Sequence, residues 1–140
     1  EAREASGVLT LTLSRPALGN ALDETLVEAL LDAILAAGVN DALHTLAIRG
    51  AGKHFCTGFD LSDIAQQSDG DLLRRFVRVE LLLTALWHAP LRTVALAQGR
   101  TFGAGADLFA CCDLRVAQAG ASFTFPGARF GLVLGTRRLA

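Results

Sequence analysis

The feature that most constrains this chain is a repeated change of apolar period. "GVLTLTLSRP" sets Leu9, Leu11 and Leu13 against Thr10 and Thr12, the period-two pattern of a half-buried strand, which Pro16 ends. "DETLVEALLDAILAAG" then places Leu26, Val27, Leu30, Leu31, Ile34 and Leu35 on one helical face. Glu24, Glu28 and Asp32 lie opposite, with Asp23 as N-cap and Gly38 as stop. The switch recurs: "HTLAIRG" reads as a strand, "DLLRRFVRVELLLTALWHA" as a helix ended before Pro90, and "LRTVALAQG" as a strand. "GADLFACCD" reads as a short buried helix and "DLRVAQ" as a further strand. Strands that alternate with helices through short polar or Gly-rich turns specify an α/β fold with largely parallel strands. No repeat, low-complexity tract or linker interrupts the pattern, so residues 1–140 are expected to form a single domain.

A chain of 140 residues, 51% hydrophobic, can bury one modest core, and its net charge of −1 provides no broad basic field. Nucleic acid and anionic membrane surfaces are therefore not expected as partners. Cys56, Cys111 and Cys112 do not form the even, spaced set of a secreted disulfide framework, so a reducing, cytoplasmic location is expected. No apolar run approaches the roughly 20 residues of a membrane helix. His44, His54 and His88 lack metal-ligand spacing, and no metal is expected. The sequence starts at Glu1 without Met and stops at "GTRRLA" without a closing helix, which reads as a fragment of a longer chain.

Two stretches share one arrangement, a strand, a Gly-containing turn and a helix start: "TLAIRGAGKHFCTGFDL" and "TVALAQGRTFGAGADL". At such a turn the first N–H groups of the helix lack intrahelical partners, and the helix dipole adds partial positive charge. Two of these termini aimed at one point would make an oxyanion hole, stabilising a carbonyl oxygen that gains negative charge. In the first stretch a helix is expected to begin at "DLSDI", with Asp60 as its cap.

"RPALGNAL" (Arg15 to Leu22), "HFCTGFDL" (His54 to Leu61), "GRTFGAGADLFACCDLRVA" (Gly99 to Ala117) and "FTFPGARFGLVLGTRRL" (Phe123 to Leu139) resemble, in order and spacing, the motifs of the enoyl-CoA hydratase/isomerase (crotonase) family. The likeness runs from about residue 7 to the end, and it lacks the C-terminal helical part of a family whose members are roughly twice this length. It implies a crotonase-like (ClpP/crotonase) superhelix of repeated ββα turns, usually assembled as a homotrimer or dimer of trimers. The implied substrate is an acyl-CoA thioester; coenzyme A is part of it, and no separate cofactor is expected.

By that resemblance the oxyanion-hole N–H groups belong to Phe59 and to Ala104, the middle of "GAG". A backbone donor tolerates Ala provided no positive φ is required. The family's first Glu corresponds to Asp107, one helical turn from Ala104, which makes Asp107 the candidate acid/base, with about 1.3 Å less reach than Glu. The family's second Glu corresponds to Gly127, which carries no carboxyl group. Arg129 cannot replace it, because a guanidinium does not give up its proton, and is read as solvated. For coenzyme A the resemblance points to Asn20, Ala21 and Leu22, and to Lys53 as a phosphate partner.

Several residues receive structural readings. His54 is taken as a loop residue, Cys56, Cys111 and Cys112 as core, and Asp113 as closing the short helix. Arg74, Arg75 and Arg78 are taken as a solvated helix face. One carboxylate suits a hydratase-like enzyme, or a divergent member of the family acting as hydrolase, dehalogenase or decarboxylase. A non-catalytic acyl-CoA-binding protein is the competing class. A dinucleotide-binding dehydrogenase is not favoured, since "GAGAD" is not a full GxGxxG.

Overall fold

A computed structural model describes residues 1–131. Its strands and helices are β1 (Ala2–Ala5), β2 (Val8–Leu13), α1 (Glu24–Gly38), β3 (Thr45–Gly50), α2 (Asp69–Trp87), β4 (Arg92–Ala97), β5 (Arg100–Phe102), α3 (Ala104–Ala110), β6 (Leu114–Ala117) and β7 (Ser122–Thr124). Short 3-10 turns occupy Pro16–Leu18, Ile64–Gln66 and Pro126–Phe130. The part of the last family-like motif from Leu132 to Leu139 lies outside the described residues.

The main sheet runs β1-β2-β3-β4-β6, parallel throughout except for the antiparallel pair β1–β2. The period-two pattern sets its register. Leu11 pairs with Ile48 and Ile48 with Ala95, so one row of side chains crosses three strands on one face. All three are buried, in one cluster with Val27, Leu30 and Ile34 of α1 and Val79, Leu82 and Leu86 of α2. Each fully buried large aliphatic side chain in that layer contributes about 1.5–3 kcal/mol relative to its exposed state.

A second layer explains why the polar turns do not float free. β5 pairs with β7, Thr101 bridges Cys56, and Leu22 bridges Phe59. Most main-sheet strands are thus followed by a short extended piece in this layer and then a helix. The sequence reading missed β1, β5 and β7, each only three or four residues long.

Gly38 is the last residue of α1 and the cap is Val39, so the helix ends one position later than expected. α2 carries the start signal that the sequence reading overlooked. Ser68 and Asp71 form a reciprocal capping box, each side chain accepting from the other residue's backbone N–H.

Candidate active site

The first turn is built by buried polar groups. Asn20 is fully buried and sits at φ 57°, left-handed, directly after Gly19 at φ 62°. Its amide donates to the carbonyls of Ala51 (2.9 Å) and His54 (2.7 Å), and its oxygen accepts from the Arg15 N–H (2.9 Å). The first two bonds hold the 51–54 loop and the third ties it to Arg15. Ala21 and Leu22 are buried beside it, whereas Lys53 is exposed. The His54 ring accepts the Arg100 N–H at Nδ1 (3.1 Å), which requires the unprotonated nitrogen. Partial burial, and then Arg100 and Lys53, push the His54 pKa below its ordinary value.

Beyond that loop the peptide planes are fixed one by one. Leu22 N–H donates to the Gly58 carbonyl (2.8 Å), and Asp60 N–H donates to the Leu22 carbonyl (3.0 Å). The Gly58–Phe59 peptide is trans, so with its oxygen held toward Leu22 its N–H points the opposite way.

No helix begins at "DLSDI"; the chain makes a turn and reaches only the short 3-10 segment before α2. The Asp60 carboxylate is divided between a distant partner and a local turn. Oδ2 accepts from Arg15 Nη1 (2.9 Å), and Oδ1 accepts from the Ser62 N–H (3.0 Å) in a local turn. Arg15 also reaches Asp23 (3.2 Å) and the Ala21 carbonyl (2.5 Å), tying the turn to the start of α1. Burial alone would raise the Asp60 pKa, but the Ser62 and Arg15 contacts together hold it below the ordinary carboxylate range. The Phe59 N–H therefore has no helix dipole behind it, contrary to expectation.

The second turn does have one. Gly103, at φ 52°, precedes α3, and its carbonyl accepts from the N–H groups of Ala106 (2.8 Å) and Asp107 (3.0 Å). That oxygen points along the helix, so the Ala104 N–H on the same peptide points out of its N-terminus. Ala104 does not adopt a positive φ, so its side chain is accommodated. Asp107 lies in the first turn of α3 and is 7% exposed.

The two turns are in contact. A Cβ at Gly58 would lie 2.7 Å from the Phe102 carbonyl oxygen and 3.5 Å from the Ala104 nitrogen. One at Gly105 would lie 2.7 Å from Cys56 Cβ and 2.8 Å from its sulfur, and closer still to its carbonyl oxygen. Glycine is needed at both positions because backbone meets backbone there. Gly103 N–H also donates to Thr124 O (2.7 Å), and a Cβ at Gly103 would be 3.8 Å from the Pro126 ring. The Pro126–Gly127 segment is thereby placed beside the start of α3.

Cys56 is fully buried, with its thiol pushed up to about 12 mainly by desolvation, so it is no nucleophile. Cys111 and Cys112 are buried, Asp113 accepts two hydrogen bonds from Thr93, and Arg129 is exposed, each as the sequence suggested. Among the described residues no cluster of His, Cys, Asp and Glu suits a metal ion, and no helix is long and apolar enough to cross a membrane.

Arg75 departs from the sequence reading. It is 8% exposed and its guanidinium lies 4.1 Å from the centre of the Phe59 ring. Arg74 and Arg78 do face outward, paired with Glu24 and Glu28 of α1. The overlooked signal is the spacing 75, 79, 82, 83, 86, which puts Arg75 on the buried stripe of α2. A polar cleft of about 190 Å³ opens next to it, lined by Arg15, Asp23, Asp60, Ser62, Gln67 and neighbours, but not by Ala104 or Asp107.

Comparison with known proteins identifies the family. A family model described as enoyl-CoA hydratase/isomerase matches residues 3–139. A protein of Mycobacterium bovis named as a probable enoyl-CoA hydratase is 38% identical over 131 residues, covering 94% of this chain and 51% of its own. An ethylmalonyl-CoA decarboxylase of Gallus gallus is 34% identical over 134 residues, covering 95% of this chain and 45% of its own. A Bordetella parapertussis crystal structure assigned to the enoyl-CoA hydratases/isomerases superposes with a TM-score of 0.96 at 49% identity. It covers 99% of this chain and 58% of that one. The chain spans about half the length of the curated relatives it matches. With its crotonase fold and two touching Gly-rich turns, the chain belongs to the enoyl-CoA hydratase/isomerase family.

Proposed function

We propose that the full-length protein acts on an acyl-CoA thioester through an enolate, with the backbone N–H groups of Phe59 and Ala104 as the oxyanion hole. The observation that carries this reading is the contact between the two turns, with each donor's peptide held by a hydrogen bond to its carbonyl. Proton removal next to a thioester, or water addition to its conjugated double bond, puts negative charge on the carbonyl oxygen. A preset donor there contributes about 3–4 kcal/mol to lowering the barrier. Asp107 is the candidate single acid/base, exchanging a proton with the carbon next to the thioester. Lys53 is proposed to meet a coenzyme A phosphate. Asn20, Ala21 and Leu22 are proposed to border the coenzyme through the loop they hold, since Asn20 spends its side chain inside the protein. Coenzyme A is then part of the substrate, and a cytoplasmic homotrimer or dimer of trimers is the proposed working form.

A second reading is favoured by Gly127 and by the decarboxylase relative. Loss of carbon dioxide from a malonyl-type thioester leaves its bonding electrons as the same enolate, without a base to remove a proton. Asp107 would then only protonate the product. The deciding experiment offers the full-length protein crotonyl-CoA and a malonyl-type CoA, comparing wild type with Asp107→Asn and Ala104→Pro. Proline at the first helical position keeps α3 but deletes the donor N–H. Activity lost in both variants supports the proposal; activity surviving Ala104→Pro removes the oxyanion hole from it.

A further inference from the structure

We infer that Arg75 is a positioning residue for the oxyanion donor of Phe59. The inference rests on the reading of Phe59 N–H as that donor and adds the group that holds it.

Arg75 sits on the buried stripe of α2, where the spacing calls for an apolar side chain, so its charge is retained against a desolvation cost. Its guanidinium makes three contacts, one with the donor residue itself and two with the segment that follows it. Its Cζ lies over the Phe59 ring, 4.1 Å from the centroid, and that ring stacks on Phe76 of the same helix at 4.7 Å with an interplanar angle of 25°. Nη2 donates to the Asp60 carbonyl (2.8 Å), and Nη1 donates to Gln67 Oε1 (2.8 Å). One side chain therefore fixes the donor residue's ring, the carbonyl of the next residue, and the far end of the exposed 61–66 loop.

This placement compensates for what the first turn lacks. The Ala104 N–H is oriented by its helix; Phe59 is instead held by two hydrogen bonds to Leu22 that flank it, the Gly58 carbonyl accepting from the Leu22 N–H and the Asp60 N–H donating to the Leu22 carbonyl. Arg75 fixes the carbonyl of Asp60, so that motion of the loop is not passed back to the donor. Lysine cannot do this, since a compact ammonium neither stacks flat on a ring nor presents a planar fork to two acceptors.

The test uses the full-length protein and a conjugated enoyl-CoA whose absorbance moves to longer wavelength when its carbonyl is polarised. Wild type, Arg75→Lys, Arg75→Met and Phe59→Leu are compared for that shift, for kcat and KM, and for thermal unfolding. Both Arg75 variants are expected to lose most of the shift and about 100-fold in kcat, the scale for a donor displaced by roughly 1 Å, with KM nearly unchanged. Phe59→Leu keeps the N–H but removes the ring, and is expected to lose part of both. Should the Arg75 variants fail to fold, Phe59→Leu decides alone. A folded Arg75→Lys or Phe59→Leu with the full wild-type shift and kcat overturns the inference. Wild-type binding without any shift overturns the oxyanion reading beneath it.

Discussion

Replacing Gly105 by alanine sets two known effects against each other at one position. Within a helix, alanine is favoured over glycine by about 1 kcal/mol. The added methyl, however, would lie 2.7 Å from Cys56 Cβ and 2.8 Å from its sulfur, and closer to the Cys56 carbonyl oxygen. That oxygen cannot retreat cheaply, because it accepts the Phe102 N–H (2.9 Å) that joins the first turn to β5. Overpacking of this kind costs about 1–3 kcal/mol, and the rigid acceptor puts Gly105 at the upper end, so the net expectation is about 2 kcal/mol of lost stability. Gly70, in the first turn of α2, supplies the control. A Cβ there meets only Ser68 Oγ at 3.8 Å, so Gly70→Ala should stabilise by about 0.4–1 kcal/mol. Urea titration of both variants beside wild type reads the two signs in one assay. Adding Cys56→Ala to Gly105→Ala should recover little, because the clash with the backbone oxygen remains. A Gly105→Ala protein as stable as wild type, or full recovery in the double variant, would refute the contact between the two turns.

Three further expectations follow from the same geometry. Arg15→Ala should destabilise by about 1.5–3 kcal/mol, the value of a hydrogen bond to a charged group, read from the urea midpoint. It should also flatten the acid limb of stability: with its folded pKa lowered, Asp60 contributes stability that is present above the unfolded value of about 3.9 and is lost as pH falls through its folded pKa. His54 titrates in a different window. Its lowered folded pKa means that the unfolded chain takes up the proton first, so stability declines as pH drops below about 6.5, and His54→Gln should remove that slope. The buried thiols of Cys56 and Cys112, both pushed up to about 12 by desolvation, should resist alkylation at pH 8 until denaturant is added. Labelling of either in the native protein would contradict that burial.

The main sheet and both long helices were legible because their signals repeat. Leu9, Leu11 and Leu13, and the stripe from Val27 to Ile34, state their period several times over. β5 and β7 were not legible, since three residues cannot establish a period and their pairing partners lie more than 20 residues away. β1 was hidden for a different reason. "AREA" has helix-like composition, and its strand form depends on the two-residue turn at Ser6 and Gly7, both at positive φ, which matches the twist of a hairpin.

The candidate site divides along a similar line. The positions where backbone must approach backbone, Gly58 and Gly105, leave a mark in the sequence because only glycine fits. The groups that aim the peptides do not. Asp60 read as a helix cap because an Asp before "LSDI" satisfies that pattern locally; it does accept the Ser62 N–H, but its other oxygen is held by Arg15, 45 residues distant. Arg75 read as solvated because its neighbours Arg74 and Arg78 are outward-facing. In both cases the deciding interaction is long-range and made by a side chain whose local alternative is equally good chemistry. The converse also holds: a charged residue at a core position of an amphipathic helix has to find buried hydrogen-bond partners. Here one of those partners is the carbonyl beside the proposed donor, so the break in the apolar stripe of α2 points to the same loop as the first Gly-rich turn.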